Sequence, residues 1–440
     1  MNEKQLFGVF APILGEKKNF PTILLDKTVQ VDNRNIYRKY GEVHRRLMRL
    51  ADLLNTSYVK TQTPDGFPIL HYHTFIKRAT AMQYFLCFTK AHIYMWDNTG
   101  KKWDLVFTCQ SYCTEWDTQT YNDLVIATNN VDMVLSWDTS GYFMPLQNTT
   151  PTTITAASKG NPCHITAAGH GLTTGDRVFI KNCGGMTQIN NLQFVVTVDS
   201  VDIFSLDGIN STAYTTYTSG GTVVEFQGIE YQAGKFLIAS KYVTTFENFL
   251  ILGWTTEENP SGTNFIVYPQ RERWNCIADE TDWKSAGSGA KETEGEDRIV
   301  GFKIYDGVLI IFKEKKRIAQ TLVPTSAIWN WSVLPGNIGC MSNHSIVEDA
   351  DGRVYWLAND LSIREMQVGE ISKDIDPIVK LIEPSSAYLI YGIYIEETGE
   401  IWWSIPYGSA LPNKVITVKD LSNWGELDMS VSAFGSYQEE

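Results

Sequence analysis

His71 and His73 are one residue apart, so on a strand both imidazoles share a face, a spacing that some metal sites use. No third ligand follows at a familiar spacing, and a half-buried structural pair is the plainer reading. Glu115 and Asp117 would likewise set two carboxylates on one strand face, the raw material for glycoside cleavage if their separation suits it. Asp349 and Asp351 begin like a calcium loop. Arg353 stands where the next carboxylate belongs, and no glutamate closes the loop, so a hairpin turn is expected. Gly287 and Gly289 precede Lys291 without the third glycine and strand-to-helix context of a phosphate loop. Neither GxSxG nor HExxH occurs. Trp329 with Trp331, and Trp402 with Trp403, could stack on sugars, although tryptophans in repeated β-units more often pack between the units. Nucleophile, base and orienting group nowhere coincide. The sequence therefore predicts no catalytic, cofactor-binding or metal-binding residues, and a protein that is not an enzyme.

The elements that carry these residues read as short strands broken by turns. Tyr84–Phe88 and His92–Trp96 are apolar runs, followed by Asp97-Asn-Thr-Gly100 and then Lys102–Phe107. The phrase returns as Leu124–Ala127 and Met133–Trp137, followed by Asp138-Thr-Ser-Gly141. Trp96 and Trp137 are 41 residues apart, the length of a four-stranded propeller blade. Fainter echoes follow at Val308–Phe312, Val354–Leu357 and Ile401–Ser404, each with a second apolar run behind it. Such units cannot bury their faces alone and must stack around an axis. The fold class is all-β: a degenerate β-propeller of about six to seven blades, with a small inserted β-barrel-like module and a short N-terminal arm. The domain map is an arm over residues 1–57, a propeller platform over 58–150 and 226–440, and a module over 151–225. A Thr/Pro-rich stretch beginning Asn148-Thr-Thr-Pro reads as the linker into that module.

Within the arm, Ile36, Tyr40, Val43, Leu47, Leu50 and Leu54 recur at helical spacing, which predicts an amphipathic helix over 33–55 despite Gly41. Residues 34–49 hold Arg34, Arg38, Lys39, Arg45, Arg46 and Arg49 against the single acid Glu42. That is a local reversal, because 37 Lys+Arg against 50 Asp+Glu give the chain a net charge of −13. The segment is either a solvated face or a contact, and Arg38, Arg45, Arg46 and Arg49 are the candidate subunit-docking residues.

With 440 residues the chain has ample length for a buried core. Aromatics at 12% and charged residues at 20% exclude a disordered chain. The acidic balance argues against a protein that coats DNA, though not against one that DNA slides past. Seven cysteines, an odd number without a CxxC pair, read as free thiols in a reducing compartment. Glu3 lies where a signal peptide would be basic, and no apolar run reaches membrane-spanning length, so a soluble, non-secreted protein without a membrane anchor is expected.

The inserted stretch resembles a small β-module that matches the first catalytic-cysteine half-domain of ubiquitin-activating enzymes and recurs in bacteriophage structural proteins. The resembling phrases are His170-Gly-Leu-Thr-Thr-Gly-Asp176, Gly185-Met-Thr-Gln-Ile-Asn190, Asp207-Gly-Ile-Asn-Ser-Thr212 and Tyr217-Thr-Ser-Gly-Gly-Thr-Val223. That half-domain supplies no nucleophile, so Cys163 and Cys183 inherit no catalytic role. Glu397-Thr-Gly399-Glu-Ile-Trp402 has the outline of the structural turn of sialidase propellers, with glutamate in place of its aspartate. The platform resembles the bacteriophage tail nozzle, or packaged-DNA stabilisation, family across Asp297–Phe312, Pro335–Ser342, Val354–Leu357 and Val368–Ile375, with Tyr37-Arg-Lys-Tyr-Gly41 similar to a turn near the start of such proteins.

The resemblance implies a structural virion protein located in the phage tail and assembled in the host cytoplasm. It would form a ring, a hexamer, that extends the DNA channel, retains packaged DNA and lets it pass on ejection. The implied partners are copies of itself, neighbouring phage neck and tail proteins, and packaged DNA in transient non-specific contact. No cofactor is implied. The alternative from another class is a propeller that binds or cleaves host glycan.

Overall fold

The computed structural model describes residues 63–260, 264–325 and 327–436, together with strand backbone at 36–39 and 42–45. Tight turns drive its architecture. Asn122-Asp123, Glu247-Asn248 and Asp306-Gly307 each hold two consecutive positive φ angles, a conformation whose twist matches that of the strands it joins. They connect Asp117–Tyr121 to Leu124–Thr128, Lys235–Phe246 to Phe249–Glu258, and Ile299–Tyr305 to Val308–Lys313.

Hairpins chained in this way give six meander sheets in which strands pair in chain order, the arrangement of a six-bladed β-propeller. The first sheet comprises Ile69–Lys77, Met82–Thr89, His92–Asp97 and Lys102–Thr108. The second runs from Asp117–Tyr121 to Met144–Pro145. Five strands, from Ile229–Gln232 to Gly289–Glu292, form the third. The fourth, fifth and sixth run from Ile299–Tyr305 to Trp329–Val333, from Val347–Glu348 to Gly369–Glu370, and from Tyr391–Ile395 to Asn423–Leu427. Trp96 and Trp137, whose spacing marked the repeat, sit in the third strands of the first two sheets.

The chain divides into two compact units. The first takes in residues up to 74, 99–102 and 294–440, and so the fourth to sixth blades. Its inner strands, such as Val308–Lys313 and Val354–Leu357, are buried on both faces and accordingly read as unbroken apolar runs. Buried indoles also fix its connecting loops: Trp356 Nε1 donates to the Gly339 carbonyl at 3.0 Å, and Trp403 Nε1 to that of Ser345 at 3.0 Å. Of the two tryptophan pairs, Trp329 and Trp403 are buried and Trp331 and Trp402 half-buried.

The second unit covers 75–98 and 103–293. It contains the second and third blades and an eight-stranded sheet built from strands between Gln147–Asn148 and Thr222–Gln227. This inserted sheet has its own core, with Ile154, Ile165, Val178, Ile180, Val196 and Phe204 almost fully buried. The Thr/Pro-rich stretch is not a free linker. Gln147–Asn148 and Thr152–Thr153 pair with Thr222–Gln227, and Ala156–Ala157 pairs with Cys163–Thr166. Threonine is a strand former, and the neighbouring edges satisfy its backbone. Gly221 (φ +99°) lets the backbone pass close to Cys183, where a Cβ would lie 3.2 Å from that residue's Cα.

The predicted N-terminal helix is corrected at 36–39 and 42–45, and the rest of its span lies outside the described residues. Ile36–Lys39 pairs antiparallel with Glu42–Arg45, with Lys39 opposite Glu42. The two residues between the strands are Tyr40 and Gly41, and a glycine in a two-residue connection favours a hairpin over helix continuation. Arg38 and Arg45 therefore lie on hairpin strands, while Arg46 and Arg49 lie outside the described residues. Among the described residues no helix is long and apolar enough to cross a membrane.

Candidate functional site

Arg177 opens a strand, Arg177–Lys181, whose next three residues are buried. The strand pairs on one side with Leu192–Ser200 and on the other with Thr222–Gln227. That placement carries its guanidinium out of the insert to the second blade. It donates to Asp132 at 3.1 Å and to the Gln110 side-chain oxygen at 3.2 Å. Asp132 is 2% exposed and also accepts from the Gln110 backbone N–H at 2.8 Å and the Asn129 amide at 2.9 Å. The carboxylate is thus hydrogen-bonded on both oxygens, the condition under which a buried charge is tolerated. Beside it Tyr142 packs tilted against Phe179 at 5.7 Å, Phe179 stacks on Phe226 at 6.3 Å, and the guanidinium lies over Phe226 at 5.8 Å. The insert is clamped onto the second blade by charge and by aromatic packing together. Nothing in the sequence links Arg177 to Asp132, since each is unremarkable until the chain folds.

The paired carboxylates are occupied structurally. Glu115 is buried and meets Lys241 at 3.0 Å, while Lys241 lies over Trp254 at 4.7 Å and over Tyr242 at 5.1 Å. Asp117 accepts the Val243 backbone N–H at 2.9 Å. Asp349 accepts backbone N–H groups of Asp351 and Arg353 at 3.0 Å each, the Arg353 guanidinium at 2.8 Å and the Tyr355 hydroxyl at 2.9 Å. It organises a hairpin turn, as its sequence implies. In the sialidase-like turn, Gly399 takes a positive φ and Glu400 accepts from the Trp402 indole at 3.1 Å. His71 and His73 lie on strand Ile69–Lys77, and the His71 ring stacks on His344 at 5.0 Å and bonds the Tyr391 hydroxyl at 2.8 Å. Burial holds His73 down to about 4. Among the described residues, no three His, Cys, Asp or Glu side chains are grouped to hold a metal ion.

All seven cysteines are free thiols. Burial raises Cys183 to about 11 and pushes Cys163 up as well, which leaves little thiolate in the insert's core. A hydrogen bond to Cys113, burial and nearby Asp132 drive Cys109 far above its ordinary range.

One open cleft of about 590 Å³ lies in the first unit, lined by Glu296, Asp297, Glu314, Lys315, Lys316, Asn337 and Asn359. Beneath it the fully buried Lys313 donates to the Glu294 carbonyl at 2.7 Å and stands 3.3 Å from Asp297.

Residues 163–227 match the ubiquitin-activating enzyme E1 FCCH domain, which is the inserted sheet and not the platform. No curated protein matches the chain. Among solved structures it is similar to the phage phi92 endosialidase, at 14% identity over 84% of this chain and 58% of that one, with a TM-score of 0.29. The chain thus spans just over half the length of that protein. It is also similar to KlHsv2 with loop 6CD replaced by a Gly-Ser linker, at 6% identity over 82% and 96% of the two chains and a TM-score of 0.30. YCF48 from Cyanidioschyzon merolae shares 9% identity over 68% and 81%, with a TM-score of 0.28. The propeller assignment rests on the strand order, and these similarities add no functional argument.

Proposed function

We propose that the chain is a structural virion protein of a tailed phage, a ring subunit that extends the DNA channel, retains packaged DNA and releases it on ejection. The observation that carries this reading is the clamped insert. A module that resembles one recurrent in phage structural proteins is held on a blade by a buried ion pair and an aromatic stack. Such fixing suits a building block that bears load better than a domain that moves to catch a substrate. Its carboxylates are bound to structural partners, with Lys241 on Glu115 and Arg353 on Asp349. A net charge of −13 per chain would make a lumen lined by part of it repel phosphate, so that DNA slides without sticking. The proposed partners are other copies of the chain and adjoining tail proteins. The test is mass spectrometry of purified tailed particles. The chain should be present in a fixed ratio to other tail proteins, and its absence from particles overturns the reading.

The second reading, host-glycan binding, is favoured by the cleft, whose size suits a small saccharide and whose lining supplies amides, carboxylates and ammonium groups. Specific retention of the chain on an immobilised host glycan, lost in Asn337→Ala, would promote it.

A further inference from the structure

Buried and half-buried arginines in this fold are matched by carboxylates. Arg177, Arg271, Arg273, Arg353 and Arg364 each meet one at 3.1 Å or less. Arg317 breaks the pattern. It is half-buried and opens strand Arg317–Leu322 of the fourth blade, and among the described residues no carboxylate stands within ion-pair distance of it. Its Nε is buried and makes no hydrogen bond. Nη1 donates to the Met366 sulfur at 3.1 Å, and a thioether is a weak acceptor. The guanidinium lies over the Trp356 ring at 4.8 Å, a contact that attracts a cation without neutralising it.

A second cation stands beside this one. Arg364 is opposite Trp356 in the register of the fifth blade, so both side chains leave the same face of that sheet. Met366, two residues on, shares the face. Arg364 is itself held by Asp360 at 2.6 Å and by the Ser362 hydroxyl at 2.9 Å. Glu370, opposite Arg364 on the next strand, forms an ion pair with neither arginine. Burial, and then the charge of Arg364, lower Arg317 from its ordinary 12.5. The surroundings are fixed in advance. The Gln367 amide donates to the Tyr305 hydroxyl at 2.7 Å and so joins the same two blades, and Tyr305 and Met366 pack on the buried cluster that contains Trp356. A partly desolvated guanidinium without a counter-charge is costly, and its planar fork is shaped to take two oxygens of one anionic group.

We propose that Arg317, with Arg364 beside it, forms a binding site for a single oxyanion, a phosphate, sulfate or carboxylate group, between the fourth and fifth blades. The group is either free in solution or carried as an Asp or Glu side chain by another copy of the chain. The test uses inorganic phosphate and the full chain. By titration calorimetry at constant ionic strength, wild type should bind a single phosphate per chain, and Arg317→Met should lose about tenfold or more in affinity. Arg78→Met, which removes an exposed arginine, should bind as wild type does. Should Arg317→Met fail to fold, Arg317→Lys replaces it, because lysine keeps the charge and loses the fork, and it too should bind less tightly. Sedimentation distinguishes the sources. A free anion leaves the mass of the chain unchanged, whereas a carboxylate from another copy gives an oligomer that phosphate or Arg317→Met dissociates. Phosphate binding that is as tight in both Arg317 variants as in wild type overturns the proposal. So does a wild-type chain that binds no phosphate and whose mass responds neither to phosphate nor to Arg317→Met.

Discussion

Asp132 and Arg177 are 45 residues apart, yet they meet at 3.1 Å where the insert is seated on the second blade. Removing one partner of a buried pair leaves a stranded charge, which typically costs about 3–5 kcal/mol. Asp132→Ala should therefore lower stability by about 3 kcal/mol, and pairing it with Arg177→Met should recover part of that loss, as read by denaturant unfolding of all four forms of the cycle. Glu257 makes a second test. It is fully buried and accepts from Thr255 at 2.7 Å, from Arg273 at 2.7 and 3.1 Å and from Arg271 at 2.9 Å. Burial alone would push its carboxyl up, but the hydrogen bonds and charge of Arg273, with Thr255 and Arg271, outweigh this and hold it below the ordinary 4.5. A lowered carboxylate contributes stability above its unfolded value and loses it as the pH falls, so the contribution is complete at neutral pH and fades below 4.5. Glu257→Gln should be markedly less stable than wild type near neutrality, and the gap should narrow in acid. A gap that is the same at every pH would show that the arginines do not act through its charge.

At the scale of elements, the insert is a folded sheet on a fixed seat. Replacing residues 150–224 by a short Gly/Ser loop should leave a soluble β-protein with an unchanged far-ultraviolet spectrum and a lower melting temperature, because Asp132 and Tyr142 lose their partners. Aggregation of every such variant would show that the insert belongs to the platform's core. The basic hairpin carries a separate expectation. Arg45→Glu with Arg49→Glu should weaken docking to a neighbouring tail component in a salt-sensitive way, and docking indifferent to both would return the segment to a solvated face. Much of this architecture was legible in the sequence because local chemistry decided it. The runs at 84–88, 124–127, 308–312, 354–357 and 401–404 are all second strands of blades. The third blade left no echo, since its long strands, 12 residues at Lys235–Phe246 and 10 at Phe249–Glu258, do not repeat the short phrase. The start of the predicted helix was misread: Ile36 and Val43 fit helical spacing, yet Ile36–Lys39 and Glu42–Arg45 pair as strands. The clamp and the His71–Tyr391 contact were hidden for another reason: their members meet only through tertiary packing, His71 and Tyr391 across 320 residues.

For the whole molecule, the proposed function makes six blades and a clamped insert one repeat of a larger assembly. A repeated head-to-tail interface closes into a ring where its rotation permits. Glycan cleavage through Glu115 and Asp117 would have to proceed beside the Lys241 ion pair of the one and the Val243 backbone bond of the other. The most direct measurement is a reconstruction of the native particle by electron cryomicroscopy. Several copies of this chain should close into a ring around the DNA path of the tail, each with its insert seated on Asp132. A particle whose tail channel contains no copy of the chain, or a chain found only as a free monomer bound to host glycan, would contradict it.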